Sequence, residues 1–194
     1  MRPERTRALE PGKGGYDVTE QQAAAAQGES SYVPAGAGRA LTVLGDTMHV
    51  KVAGRDTGGA YAVWEVTVQP GGGPPPHRHE REHEDFCVLE GDFEFHREGQ
   101  APLRGTAGGY VHTPRGVVHT FKNVGGSPGR LLVIAAPAGV EGFFADVSEG
   151  VGHLTGPPTP EQVGFVVATA ARYGIQIQGP PPPPAQSGAT TISG

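Results

Sequence analysis

Short apolar-rich runs broken by Gly and Pro fill the middle of the chain, with little helical periodicity before residue 138. Ala60–Val68 shows the pattern most clearly. Ala60, Ala62, Trp64, Val66 and Val68 fall on one face of an extended segment and form an apolar, core-facing set. Tyr61, Val63, Glu65 and Thr67 fall on the other face. Further strands are expected at Met48–Val52, Asp85–Leu89, Asp92–His96, Gly109–Thr113, Val118–Asn123 and Leu131–Ala135. These predict an all-β domain, and closing such strands into a double-sheet jelly roll removes most exposed edges. Beyond residue 138 the pattern turns helical. Helices are predicted over Val140–Val147 and Pro160–Tyr173, the second with Thr159 as N-cap and Gly174 as stop. Their apolar side chains, including Phe143, Phe144, Val163, Val167 and Ala171, are expected to cover the barrel's outside or a partner chain.

The ends differ from the middle. Residues 1–30 are polar and irregular, and the Ala23–Ala26 patch is too short to hold a helix alone in water, so an arm is expected. The barrel then spans 31–137 and a helical extension 138–178. Residues 179–194 carry Pro180–Pro184 and a Ser/Gly/Thr tail, which predicts an extended, polyproline-like, disordered end.

At 194 residues the chain fits one domain with tails. A net charge of −5 with 15 scattered Lys and Arg leaves no basic stripe for a phosphate backbone, so nucleic acid is not an expected partner. No apolar run approaches the ~20 residues of a membrane span, and no apolar leader segment follows Met1–Arg7. The expectation is a cytoplasmic protein without membrane contact. A single cysteine, Cys87, cannot form an internal disulfide and reads as a small buried hydrophobe within Phe86–Leu89.

Two blocks carry the candidate chemistry. The first reads G-x5-H-x-H-x4-E-x6-G through Gly71, His77, His79, Glu84 and Gly91. The second, G-x5-P-x-G-x2-H-x3-N, runs through Gly108, Pro114, Gly116, His119 and Asn123. His77 and His79 point the same way if their stretch is extended, as Pro74–Pro76 favour. Glu84 returns beside them after the charged bend Glu80–Glu82, and the Pro114–Gly116 turn presents His119 from a different hairpin. Leu89–Phe93 reads as a hairpin with Gly91 at a position needing positive φ. Three imidazoles and one carboxylate suit one divalent transition ion, Fe, Ni, Mn, Co, Cu or Zn, better than Ca or Mg. Four protein ligands on a six-coordinate ion leave positions for water, oxygen or substrate.

Over roughly residues 60–137 the two blocks resemble the signature motifs of the cupin superfamily. That resemblance implies a jelly-roll (double-stranded β-helix) barrel in which His77, His79, Glu84 and His119 coordinate the metal, and a homodimer whose interface the post-barrel helices can supply. Pro74–His79, Phe86–Gly91 and Ala138–Phe144 look most like bacterial single-barrel cupins grouped with quercetin 2,3-dioxygenases. The activity so implied is a metal-dependent dioxygenase acting on a flavonol or other phenolic or enolic small molecule, with dioxygen as co-substrate. Glu84 would either remain a ligand or serve as the catalytic base. Two other readings stay open: a non-oxidative isomerase, cyclase or lyase using the same ion as a Lewis acid, and a cupin that binds a small molecule without catalysis.

Around the ligands, Phe86 and Val88 share the strand parity of Glu84, and Val117 and Phe121 that of His119, so these four are expected to wall the pocket. Tyr61 and Glu65 read either as polar contacts of an interior pocket or as hydrogen-bonded structural residues. His112 is either a cavity-lining or a hydrogen-bonded core histidine. His83, of opposite parity to Glu84, is expected to face solvent, and Glu80 and Glu82 to lie in a solvated loop or at the barrel mouth. Asp85 and Glu90 read as surface or hairpin charges.

Overall fold

Period-two alternation becomes strand wherever the sequence carries it, in a computed structural model that describes residues 30–179 except 153 and 155. The strands are β1 (Arg39–Val43), β2 (Asp46–Val52), β3 (Ala62–Val68), β4 (His77–His79), β5 (His83–Glu90), β6 (Phe93–Arg97), β7 (Leu103–Gly105), β8 (Tyr110–Thr113), β9 (His119–Asn123) and β10 (Gly129–Ala136). Helices α1 (Val140–Val151) and α2 (Pro160–Arg172) follow, and then a last strand, β11 (Ile175–Ile177). The expected arm and Pro-rich tail lie outside the described residues, save for Ser30 and Gly179 at their inner edges.

Two antiparallel sheets result, one in the order β1-β2-β3-β10-β5-β8 and the other β11-β4-β9-β6-β7. This is the jelly roll with two C-terminal helices that the pattern predicts. Ala62, Trp64, Val66 and Val68 are all buried on the inner face of β3. Phe86 of the same sheet packs with Phe93, Phe95 and Phe121 of the other as a continuous aromatic cluster with ring centroids 5.5–6.2 Å apart. Burying each such ring stabilises the fold by roughly 1.5–3 kcal/mol. Cys87 alternates out of this face and is half-buried rather than buried.

The helices pack on edge strands, α1 on β1 and α2 on β11. Phe144 of α1 meets Trp64 edge-on at 5.1 Å, and the Thr42 amide donates to Ser148 Oγ at 3.0 Å, so α1 covers its own barrel. A capping box begins α2, with Thr159 Oγ1 accepting from the Gln162 amide at 3.3 Å as its N-cap. Val163, Val167 and Ala171 do not form its packed face: all three are exposed, and Val166, Thr169 and Ala170 are buried instead. The packing against α1 selects the stripe one residue to the side, and Tyr173 Oη fastens it by donating to Asp146 Oδ2 at 2.9 Å. Gly174, at φ 75°, then ends the helical stretch, and β11 returns to pair with β4, Ile175 opposite His79 and Ile177 opposite His77. The C-terminal extension therefore ends as a strand of the second sheet. Among the described residues no helix is long and apolar enough to cross a membrane.

Candidate metal centre

His77 and His79 stand on β4, with β11 on one side and β9 on the other; β9 begins at His119, which pairs directly with His77. Glu84 comes from β5 in the opposite sheet. Three details of the sequence fix this arrangement. At Gly73, with φ 149°, a Cβ would lie 1.9 Å from the Phe121 carbonyl oxygen, so only glycine lets the segment before β4 come this close to β9. Thr120 Oγ1 donates to the Pro74 carbonyl at 2.6 Å, holding the proline run against the same strand. The turn Pro114–Gly116 is tied to the ligand strand itself, since the Gly116 amide donates to the His79 carbonyl at 2.8 Å.

The four predicted ligands meet. One ligand atom from each of His77, His79, Glu84 and His119 lies within 4.8 Å of the other three. The ligating side chains are buried, although His77 taken as a whole residue is half-buried. Donors about 2.0–2.2 Å from a shared ion sit no more than about 4.4 Å apart, so the set is nearly closed around an ion already.

Hydrogen bonding decides which nitrogens face the centre. His77 Nδ1 donates to the Pro75 carbonyl at 2.9 Å, and His119 Nδ1 to the Val117 carbonyl at 3.0 Å. A carbonyl only accepts, so both Nδ1 atoms carry protons and both Nε2 atoms are left for the centre. His119 Nε2 lies 2.8 Å from Glu84 Oε2 and His79 Nε2 3.3 Å from the same oxygen. Both His79 ring nitrogens are buried without a hydrogen-bond partner. Buried imidazole nitrogens around one carboxylate, two of them orphaned, are what a divalent transition ion satisfies.

Charge is tightly coupled here. Burial, helped by His119 and His79, pulls the pKa of His77 down to about 3. Burial also acts to lower that of His79, but the Glu84 charge and the nearby carboxylate oxygens outweigh it and hold it up at about 9. Burial alone would raise Glu84; the His79 charge and the His119 contact prevail and keep it well below the usual carboxylate range. Glu84 and a protonated His79 thus neutralise each other inside the barrel, and a cation can take the place of that proton.

Other expected site residues divide sharply. Phe86 stands 5.9 Å from the His119 ring, Phe121 5.6 Å from Phe86, and Val88 is buried one step farther along the same face of β5. Val117 contributes its carbonyl to His119 and is half-buried. Tyr61 is not in the interior: it precedes β3, 43% exposed, its carbonyl bonded to Thr57 Oγ1. Glu65 is buried but points to the outer face of its sheet, between Lys51 Nζ at 3.3 Å and Arg130 Nε at 3.1 Å. His112 is neither core nor cavity; it lies on the outer face of β8, Nδ1 2.5 Å from Asp85 Oδ1, stacked on the solvent-facing His83 ring. Glu80 is exposed and bonds Gln176, whereas Glu82 is buried, its Oε2 3.4 Å from His79 Nδ1. The signal for Glu82 was its shared parity with Glu84.

Residues 64–135, which hold all four ligands, match the family model described as a cupin domain. That matched stretch of the barrel is a cupin domain. Among solved structures, KdgF from Halomonas sp. is similar at 18% identity with a TM-score of 0.51, covering 58% of this chain and 98% of its own. The polyketide cyclase RemF from Streptomyces resistomycificus is 28% identical at a TM-score of 0.48, covering 56% of this chain and 80% of its own. A predicted oxalate decarboxylase from Thermotoga maritima is 21% identical at a TM-score of 0.49, covering 55% and 99%. No curated protein matches the sequence. A cupin barrel by itself does not select a reaction.

Proposed function

We propose that this cupin is a metal-dependent dioxygenase of the quercetinase-like type, acting on a flavonol or another phenolic or enolic small molecule. The observation that carries the reading is the convergent set His77, His79, Glu84 and His119 next to a wall of phenyl rings, Phe86 and Phe121. His77, His79, Glu84 and His119 would hold a divalent ion such as Fe, Ni, Mn, Co, Cu or Zn, which would supply Lewis acidity and open coordination positions. The protein's own part is to hold, orient and deprotonate. Nδ1–H bonds to Pro75 and Val117 fix two imidazoles in the ligating tautomer. Glu84 Oε2, the common neighbour of His79 and His119, is the acceptor for the substrate hydroxyl proton. Phe86 and Phe121 offer a flat apolar face to an aromatic substrate and keep water off its anion.

The test is oxygen uptake by metal-loaded protein given flavonols and related phenols. The proposal predicts consumption of one dioxygen per substrate, with both oxygen atoms in the products. Turnover that continues under nitrogen would instead place the same carboxylate and imidazoles in an isomerase, cyclase or lyase, and substrate held unchanged would make this a binding protein.

A further inference from the structure

The three imidazoles are not held alike. His77 and His119 lean on backbone carbonyls through Nδ1, at 2.9 and 3.0 Å, while the Nδ1 of His79 faces a carboxylate, Glu82 Oε2, at 3.4 Å. Glu82 is 3% exposed, in a bend that otherwise shows its charges to solvent, and this oxygen has no hydrogen-bond partner. His79 Nδ1 is equally without one. Two orphaned, buried, complementary groups at this separation are a pair that a small ring rotation completes, and burying a carboxylate for no partner is costly.

We infer that Glu82 is the positioning residue of the centre, accepting the Nδ1–H of His79 so that Nε2 is aimed at the ion with raised basicity. The inference rests on the metal reading above. A carboxylate behind a ligating imidazole fixes ring orientation and tautomer more firmly than a carbonyl does, because the acceptor is charged. It makes His79 the strongest nitrogen donor of the three. A Cβ at Gly139, the residue before α1, would lie 3.9 Å from Glu82 Oε1, so the start of that helix adjoins the carboxylate.

The experiment compares Co(II) affinity, by competition with a chromophoric chelator, in full-length wild type, Glu82→Gln, His79→Ala and the double variant, together with the visible Co(II) spectrum. The expected result is a loss of about 10- to 100-fold in affinity and a shifted cobalt spectrum in Glu82→Gln, with unchanged secondary structure in the metal-free protein. In the His79→Ala background the same Glu82 substitution should have no further effect, because its influence passes through that ring. Wild-type affinity in Glu82→Gln, or an equal loss with and without His79, would overturn the positioning role while leaving the centre standing. Wild type that takes up no cobalt would overturn the centre itself. Should Glu82→Gln fail to fold, Glu82→Asp, which keeps the charge but withdraws it from the ring by one methylene, carries the same comparison.

Discussion

His77 and His119 are directly opposed residues of paired antiparallel strands, their rings 4.5 Å apart, so one point of backbone register delivers two of the three imidazoles to the same place. Register in a sheet is all or nothing: a slip of one residue would turn either ring to the other face. The site therefore depends on whatever locks β4 against β9, and Gly73, Thr120 and the Gly116 turn do so.

Replacing Gly73 tests that lock. Gly73→Ala sets a methyl 1.9 Å from a backbone oxygen at a φ that side chains rarely adopt. Both effects should cost more than about 2 kcal/mol of stability and weaken metal binding, although residue 73 is no ligand. Denaturant unfolding with parallel metal analysis checks it; a variant with wild-type stability and metal content would show that β4 is held by other means.

Asn123, the last position of the second block, has a structural task. Its side chain is fully buried, donating to the carbonyls of Val68 and Ser127 and accepting from the Gly125 amide, each at 2.9 Å. Asn123→Ala leaves buried polar groups unpaired, and the loss should reach about 2–4 kcal/mol. Metal affinity per folded molecule should change little, which separates this residue from the histidines in a chelator competition.

Acidity gives a signature with a worked sign. With His77 held at about 3 in the fold against ~6.5 in the unfolded chain, only the unfolded chain takes up that proton in between, so stability is lost as pH falls below ~6.5. With His79 held at about 9, the folded chain keeps a proton the unfolded chain releases, so stability is lost as pH rises from ~6.5 through about 9. Glu84, held low, adds stability that disappears at still lower pH. Chelator-treated protein should therefore melt highest near pH ~6.5 and lower on both sides, whereas adding metal at neutral pH should release the His79 proton to the buffer. Calorimetric titration in buffers of different ionisation enthalpy measures that release, and a release of none would contradict the exchange of proton for cation.

Phe86 and Phe121 are the wall residues that the proposed substrate would touch. Truncating Phe121 to Ala should raise KM for aromatic substrates by more than it lowers kcat, since the ring binds but transfers no proton. Glu84→Gln should do the reverse, cutting kcat by about 100-fold or more through the lost base. Steady-state kinetics of both variants decide this, and identical profiles would mean that the two residues do not play separate roles.

Much of this centre was legible in the sequence because strand parity and metal chemistry constrain the same residues. His77 and His79, two apart, had to share a face, and the donor set named the class of ion. Gly91, at φ 90°, sits where the hairpin reading required it. What parity could not reveal was the second sheet's short strands: β4, β7 and β11 are three residues each and exist only because neighbours supply hydrogen bonds. It also misled where too much was asked of it. Once Trp64 marks the inward face of β3, Glu65 must point outward, and its burial comes from Lys51 and Arg130 on the outer surface. Glu82 reads as part of a charged, solvated bend, and its shared parity with Glu84 becomes meaningful once the fold places it beside His79.

The most direct test of the account is elemental analysis of the natively purified, full-length protein beside His77→Ala, His79→Ala, Glu84→Ala and His119→Ala. One transition ion per chain in wild type, falling to roughly a tenth or less in the histidine variants, is the predicted result. Wild type without such an ion, or histidine variants that keep theirs, would contradict it.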